Sequence, residues 1–177
     1  MRYLEVRRHS MRNKPGQHLS EAGIVLARNV GRSIGPFSLV VVSTKPRAFE
    51  TATAMGFAVQ EQVEELSELG EDVDAEIRYD AGFVEFARVV RQGGATARFA
   101  DAQARLWRAI AGRLPEEGQA LIITHGGIIE AGAIACLPEV DFRGWDPPCS
   151  YCEGVRLAFD GARFVAGEVL RLPARLT

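Results

Sequence analysis

Histidine is scarce in this chain. Only His9, His18 and His125 occur in 177 residues, so any imidazole chemistry must come from few candidates. Cysteine is as rare, with Cys136, Cys149 and Cys152. Three thiols cannot all pair internally, which excludes a fully closed disulfide framework. Cys149-Ser150-Tyr151-Cys152 has C-x-x-C spacing. No second such pair exists, and neither His9 nor His125 stands at metal-ligand spacing from it. No metal site is therefore expected, and the two thiols read as residues in or near a strand of a cytoplasmic protein.

An excess of one charge is also lacking. The chain has 21 basic and 23 acidic side chains, a formal net charge of −2. That balance argues against general affinity for nucleic acid or for an anionic membrane surface. No apolar run approaches the roughly 20 residues that span a bilayer. Met1-Arg2 leads into a strand-like segment containing Glu5, which is not a signal-peptide layout. Neither nucleic acid nor membrane is expected as a partner, and oligomeric state is left open. Internal repeats and low-complexity segments are absent as well.

What is present is an ordinary globular composition, 47% hydrophobic and 25% charged. The length suits one domain over residues 1–177, with a substantial core. Residues 3–7 read as a strand. Ser20 is placed to cap a helix carrying Ile24, Leu26, Ala27, Val30 and Ile34, which Gly35-Pro36 stops. Residues 38–43 form a β-branched run, the mark of a strand buried on both faces. Pro46 suits the first turn of the next helix, where its missing N–H has no intrahelical partner. Strand–helix–strand–helix order predicts right-handed βαβ units. Residues 59–105 open with many carboxylates and break at Gly93-Gly94. They read as a partly helical insertion or lid rather than sheet core. An amphipathic helix is predicted over 103–114, a strand over 120–124 and a small-residue helix over 128–136. Residues 151–159 and 163–172 predict a closing hairpin turned at Asp160-Gly161. The fold class expected is a three-layer α/β/α sandwich whose mostly parallel sheet ends in an antiparallel C-terminal edge.

Three of the predicted parallel strands deliver a cationic or titratable group to the same edge. Arg8 and His9 follow the first, Arg47 the second and His125 the later one. The C-terminal edge of a parallel sheet is where ligands bind in α/β folds. Arginine donates two parallel hydrogen bonds to phosphate oxygens. Neutral imidazole can attack phosphorus and so split transfer into two easier steps. A nearby carboxylic acid would protonate the leaving oxygen and later take a proton from water. Phosphoryl chemistry of this kind needs neither a metal nor an organic cofactor.

Four motifs in order carry a family likeness: Val6-Arg7-Arg8-His9-Ser10, Leu19-Ser20-Glu21-Ala22-Gly23, the run from Ser43 through Arg47-Ala48 to Thr51-Ala52, and Thr124-His125-Gly126-Gly127. In these the chain resembles the histidine phosphatase superfamily, whose relatives include cofactor-dependent phosphoglycerate mutases. The resemblance implies a phosphoglycerate mutase-like fold and a phosphomonoester hydrolase acting through a phosphohistidine. The substrate would be a phosphorylated small molecule or a phosphoprotein. By the same resemblance His9 is the nucleophile, Arg8 and Arg47 bind the phosphoryl oxygens, and His125 is the second histidine of the pocket. Gly126 and Gly127 would let the backbone approach the phosphate at a helix N-terminus.

The family's acid commonly stands in a leucine–x–Glu segment, which Leu66-Ser67-Glu68 matches, with Glu65 and Glu71 as rivals. Ser10 replaces the family's usual glycine. It would be strained if the backbone there had positive φ, and its hydroxyl is a candidate phosphate ligand. Asn13 reads as a remnant of the asparagine-rich stretch of the mutases. His18 reads as a surface residue. Two alternatives stand beside the phosphatase reading: mutase-type phosphoryl transfer, which the short chain with no long C-terminal lid disfavours, and non-catalytic binding of a phospholigand.

Overall fold

A computed structural model describes residues 1–176. The first strand, β1 (Arg2–Arg8), leads to helix α1 (Glu21–Gly31), strand β2 (Leu39–Ser43) and helix α2 (Pro46–Ala54). Short β3 (Glu61–Val63), α3 (Glu71–Asp74), α4 (Phe83–Arg91) and α5 (Ala95–Gly112) follow. The chain then forms β4 (Gln119–Thr124), α6 (Ile128–Cys136), β5 (Gly154–Phe159) and β6 (Phe164–Leu170). One six-stranded sheet has the order β3-β2-β4-β1-β5-β6. Strands β1 to β4 run parallel, and β5 and β6 form the antiparallel edge. The expected sandwich and its closing hairpin are both present. Among the described residues, no helix is long and apolar enough to cross a membrane.

Side-chain alternation divides the central strands between two cores. Val40 and Val42 of β2, with Leu121 and Ile123 of β4, pack against Leu26, Ala27 and Val30 of α1 and Ala48 and Ala52 of α2. Val41 and Ile122 point the other way, joining Leu4 and Val6 of β1 against Phe86, Trp107 and Ile129 on α4, α5 and α6. Trp107 is fully buried, and a Cβ added at Gly132 of α6 would sit 2.3 Å from its ring. Glycine there lets α6 approach α5 closely enough to cover the sheet. Arg7 is buried although it is charged. Its Nε donates to Glu5 Oε2 at 2.9 Å and its Nη1 to the Cys152 carbonyl, and the pair is almost wholly buried.

Local caps formed as the residues predict. The Ser20 hydroxyl accepts from Gly23 N–H at the start of α1, and Pro46 opens α2. The acidic insertion is amended in two places. Its β3 joins the sheet as an edge strand, with Glu61 opposite Val41 in parallel register. Three residues beginning with glutamate carry too little periodicity to mark a strand. Helix α5 begins at Ala95, eight residues before the expected 103. Its N-terminal N–H groups at Ala95 and Thr96, and the Thr96 hydroxyl, all bond the Glu76 carboxylate. That cap comes from 19 residues away, so no local capping signal precedes the helix. Cys149 packs in one core and Cys152 in the other, and all three cysteines are free.

Candidate active site

The parallel pairing of β1, β2 and β4 brings their C-terminal ends together. Arg8 lies opposite Thr124, and Val42 opposite Ile123. His9 N–H continues the ladder by donating to the Thr124 carbonyl at 2.9 Å. The His9 and His125 rings therefore face each other with centroids 5.0 Å apart. Helix α2, starting just past β2, adds Arg47. His9, His125, Arg8 and Arg47 line one pocket of about 420 Å³.

The protonation state of His9 follows from its partners. Nδ1 is 2.7 Å from the Ser10 carbonyl oxygen, which can only accept. The ring proton must therefore sit on Nδ1, leaving the Nε2 lone pair toward the pocket. Arg47 Nε donates to that Nε2 at 3.1 Å. Burial lowers the His9 pKa to about 3; the Ser10 contact opposes this, while Arg47, Arg8 and Arg12 reinforce it. His9 is a neutral imidazole across the physiological range.

His125 is set up differently. Its Nε2 lies 2.7 Å from Ser43 Oγ, and Ser43 Oγ also accepts the Lys45 N–H at 3.3 Å. Burial, then repulsion from His9, Arg47, Lys45 and Arg8, lowers its pKa to about 2. With the Ser43 hydroxyl donating a hydrogen bond to Nε2, Nδ1 carries the ring proton. Nδ1 is buried without a partner among the described residues, and so is Arg8 Nε. Two buried unpartnered nitrogens around one pocket favour an anionic ligand there, since an unpaired polar atom costs about 1–3 kcal/mol.

Arg8 is held from behind by residues that sequence reasoning missed. Its Nη1 donates to the Cys149 carbonyl at 3.0 Å, and its guanidinium lies 4.8 Å from the Tyr151 ring centroid. Tyr151 also packs 5.8 Å from the His9 ring. The Cys149 loop is fixed in turn by Glu130, a fully buried carboxylate on α6. Its two oxygens accept the Cys149 N–H at 2.9 Å and the Gly127 N–H at 2.7 Å. Burial raises the Glu130 pKa.

Two glycine-related expectations need correction. Ser10 does not face the pocket. Its hydroxyl donates to the Gly23 carbonyl at 2.6 Å, and its N–H donates to Thr51 Oγ1. Its φ is not positive, so the missing glycine brings no strain; the hydroxyl instead ties the first motif to α1. Gly127 does have φ 83°, and a Cβ there would meet Leu69 at 2.8 Å. Its N–H is already taken by Glu130, so it is not free for an anion. Gly126 lines the pocket, where an added Cβ would make only ordinary contact with Arg8 and Tyr79.

The acid candidates separate by position. Thr124 Oγ1 donates to the Leu66 carbonyl at 2.6 Å, and Thr44 N–H donates to Ser67 Oγ at 3.1 Å. These bonds fasten Leu66-Ser67-Glu68 to the ends of β4 and β2. Glu68 and Glu71 line the pocket, and Glu65 does not. Glu68 is paired with Lys45 Nζ, which holds its carboxyl below the ordinary range. Arg12, Lys14, Asp74, Tyr79 and Tyr151 also line the pocket. Their positions depend on chain crossings that no local pattern marks. His18 is exposed and pairs with Glu50, outside the pocket.

A family described as the histidine phosphatase superfamily (branch 1) matches residues 5–169. No curated protein sequence matches the chain. Among solved structures, a phosphoserine phosphatase from Entamoeba histolytica in complex with 3-phosphoglyceric acid is 16% identical, with 100% of both chains covered and a TM-score of 0.70. A mycobacterial glucosyl-3-phosphoglycerate phosphatase complexed with VO3 is 21% identical, covering 96% of this chain and 98% of that one, with a TM-score of 0.63. The Bacillus stearothermophilus protein YhfR is 21% identical over 93% of this chain and 95% of that one, with a TM-score of 0.66.

Proposed function

The chain belongs to the histidine phosphatase superfamily, and from that premise we propose that it hydrolyses small-molecule phosphomonoesters through a phosphohistidine on His9. The observation that carries this reading is the state of His9: neutral, its proton on Nδ1, its Nε2 lone pair among arginines. A phosphoryl group entering the pocket takes over the Arg47 N–H that now rests on Nε2. The lone pair then attacks phosphorus, the N–P bond forms and the P–O ester bond breaks. The leaving oxygen takes a proton from the Glu68 carboxyl. Water next attacks phospho-His9, giving its proton to the Glu68 carboxylate. The P–N pair returns to Nε2 and inorganic phosphate departs.

The remaining groups position and balance charge. Arg8 and Arg47 hold the equatorial oxygens, and His125 Nδ1–H donates to one of them, which is where most catalysis of phosphoryl transfer resides. No step requires a metal or an organic cofactor. The insertion carrying Glu68 acts as one wall and lid of the site. Small-molecule substrates are supported by the structural relatives, two of which are phosphatases of phosphorylated metabolites. Non-catalytic binding is disfavoured because Ser10, the main departure from the family motif, leaves the nucleophile's surroundings unstrained.

Rapid quench with phosphoryl-labelled substrate tests the mechanism. Acid-labile, base-stable label on His9 is expected, and none in His9→Ala. Label on a cysteine or an aspartate would overturn it.

A further inference from the structure

Two cations in the pocket have no place in the mechanism just given. Arg12 and Lys14 lie on the segment after His9 and both line the cavity. The segment is fixed at its base. Arg12 bridges Leu19, Asn13 N–H donates to the His18 carbonyl at 3.0 Å, and Ser20 N–H donates to the Met11 carbonyl at 3.0 Å. Arg12 is further anchored through Nη1, which donates to the Gly16 carbonyl at 2.7 Å and the Pro15 carbonyl at 3.3 Å. Its Nε and Nη2 make no such bonds among the described residues.

Neither cation forms an ion pair among the described residues. Yet three carboxylates, Glu68, Glu71 and Asp74, line the same pocket from the segment at 67–74. Glu68 is spent on Lys45. The lining thus holds two cations on the Arg12 segment with no carboxylate partner among the described residues, and carboxylates on the 67–74 segment. Arg12 lies near enough to the phosphoryl site that its charge lowers the pKa of Arg47, second only to burial, and that of His9 as well. A phosphoryl dianion placed between Arg8 and Arg47 leaves Arg12 and Lys14 unmatched. A cavity of about 420 Å³ is also of the size that holds a whole small molecule.

We infer that Arg12 and Lys14 form a second anion subsite, so that the substrate is a phosphomonoester whose leaving group itself carries an anionic group. This rests on the phosphatase reading above and names the substrate class for it. The shared chemistry is a compact oxyanion, carboxylate or phosphate, a short distance from the scissile ester. Glu71 and Asp74 repel that group, which favours its placement on the Arg12 segment.

The test uses a two-carbon series of alkyl phosphates: ethyl phosphate, phosphoglycolate, ethylene glycol bisphosphate and phosphoethanolamine. Phosphoglycolate, the bisphosphate or both are expected to exceed ethyl phosphate by about tenfold or more in kcat/KM, chiefly through KM. Which of the two leads distinguishes a carboxylate site from a second phosphate site. Phosphoethanolamine is expected to be no better than ethyl phosphate. In Arg12→Ala and in Lys14→Ala the ratio of the anionic ester to ethyl phosphate is expected to fall about threefold or more, and in the double variant to approach unity. An unchanged ratio in all these variants overturns the inference; for Arg12 it would mean service to the phosphoryl group itself. A preference for phosphoethanolamine overturns it too. Calorimetry on His9→Ala, which lacks the nucleophile, makes the same comparison by binding alone. Hydrolysis of every ester without preference defeats this inference and spares the phosphatase reading. Tighter binding of the anionic esters without hydrolysis in the wild type does the reverse.

Discussion

Arg47 Nε donates to His9 Nε2 across 3.1 Å, so the arginine rests on the lone pair that the proposed mechanism uses. In that mechanism the arginine side chain passes from nucleophile to phosphoryl oxygen as substrate enters. This is possible because burial and the neighbouring guanidiniums of Arg12 and Arg8 already disfavour its charge where it stands, as its lowered pKa records. An incoming dianion relieves that repulsion.

Arg47→Ala is accordingly expected to lower kcat/KM about tenfold or more, since a charge-assisted hydrogen bond is worth about 1.5–3 kcal/mol. Inhibition by vanadate should weaken in parallel. Undiminished vanadate affinity in the variant would show that Arg47 serves His9 alone.

The Lys45–Glu68 pair sets a pH dependence. Protonated Glu68 is the form that donates to an alkoxide, and Lys45 holds its pKa low. Alkyl phosphate hydrolysis should therefore decline as pH rises through that pKa. Lys45→Ala removes the pull, so the descending limb should move to higher pH for the same substrate. Glu68→Gln should slow alkyl esters by about 10²–10⁴-fold and p-nitrophenyl phosphate far less, because a phenolate leaves without a proton. If Glu68→Gln is silent on alkyl esters and Glu71→Gln is not, the acid is Glu71.

Stability should fall as pH drops from about 6.5 toward 4.5. His9 and His125 have folded pKa values of about 3 and about 2, below the unfolded value near 6.5. The unfolded chain thus binds protons first, and each group withdraws about 1.4 kcal/mol per pH unit in that window. Glu130 has the opposite sign. Its folded pKa is raised, so its contribution is present at low pH and is lost as pH rises, which offsets part of the histidine slope. Urea denaturation at several pH values should give a flatter dependence for His125→Asn and a steeper one for Glu130→Gln.

Ser10→Ala is expected to cost about 0.5–1.5 kcal/mol of stability, the worth of one neutral hydrogen bond, measured by urea midpoint. The change in kcat/KM should stay within about threefold on the same grounds, since the hydroxyl is spent on Gly23. A tenfold loss of activity with unchanged stability would return Ser10 to the phosphate site.

Hydrolysis should persist in excess EDTA, because the proposed chemistry balances phosphoryl charge with Arg8, Arg47 and His125. Loss of activity that zinc or magnesium restores would contradict it.

Much of this site was legible in the sequence, because its central parts depend on local chain. Strands β1, β2 and β4 are short apolar runs, and the residues just past parallel strands must meet at one edge once those strands pair. His9, Arg8, Arg47 and His125 could be assembled from that rule alone. The Ser20 cap and Pro46 at a helix start are equally local. What tertiary structure decided involves partners far apart in the chain. Glu76 caps α5 from another segment, Tyr151 and the Cys149 carbonyl hold Arg8 from beyond residue 148, and Glu130 binds that loop to α6. The direction of the Ser10 hydroxyl depended on where Gly23 lay. The charge state of both histidines depended on burial, and the packing of the 66–71 segment decided that Glu68 and Glu71, but not Glu65, line the pocket. Periodicity and caps report interactions within a few residues, whereas desolvation and long-range hydrogen bonds arise only when the whole chain has closed around the site.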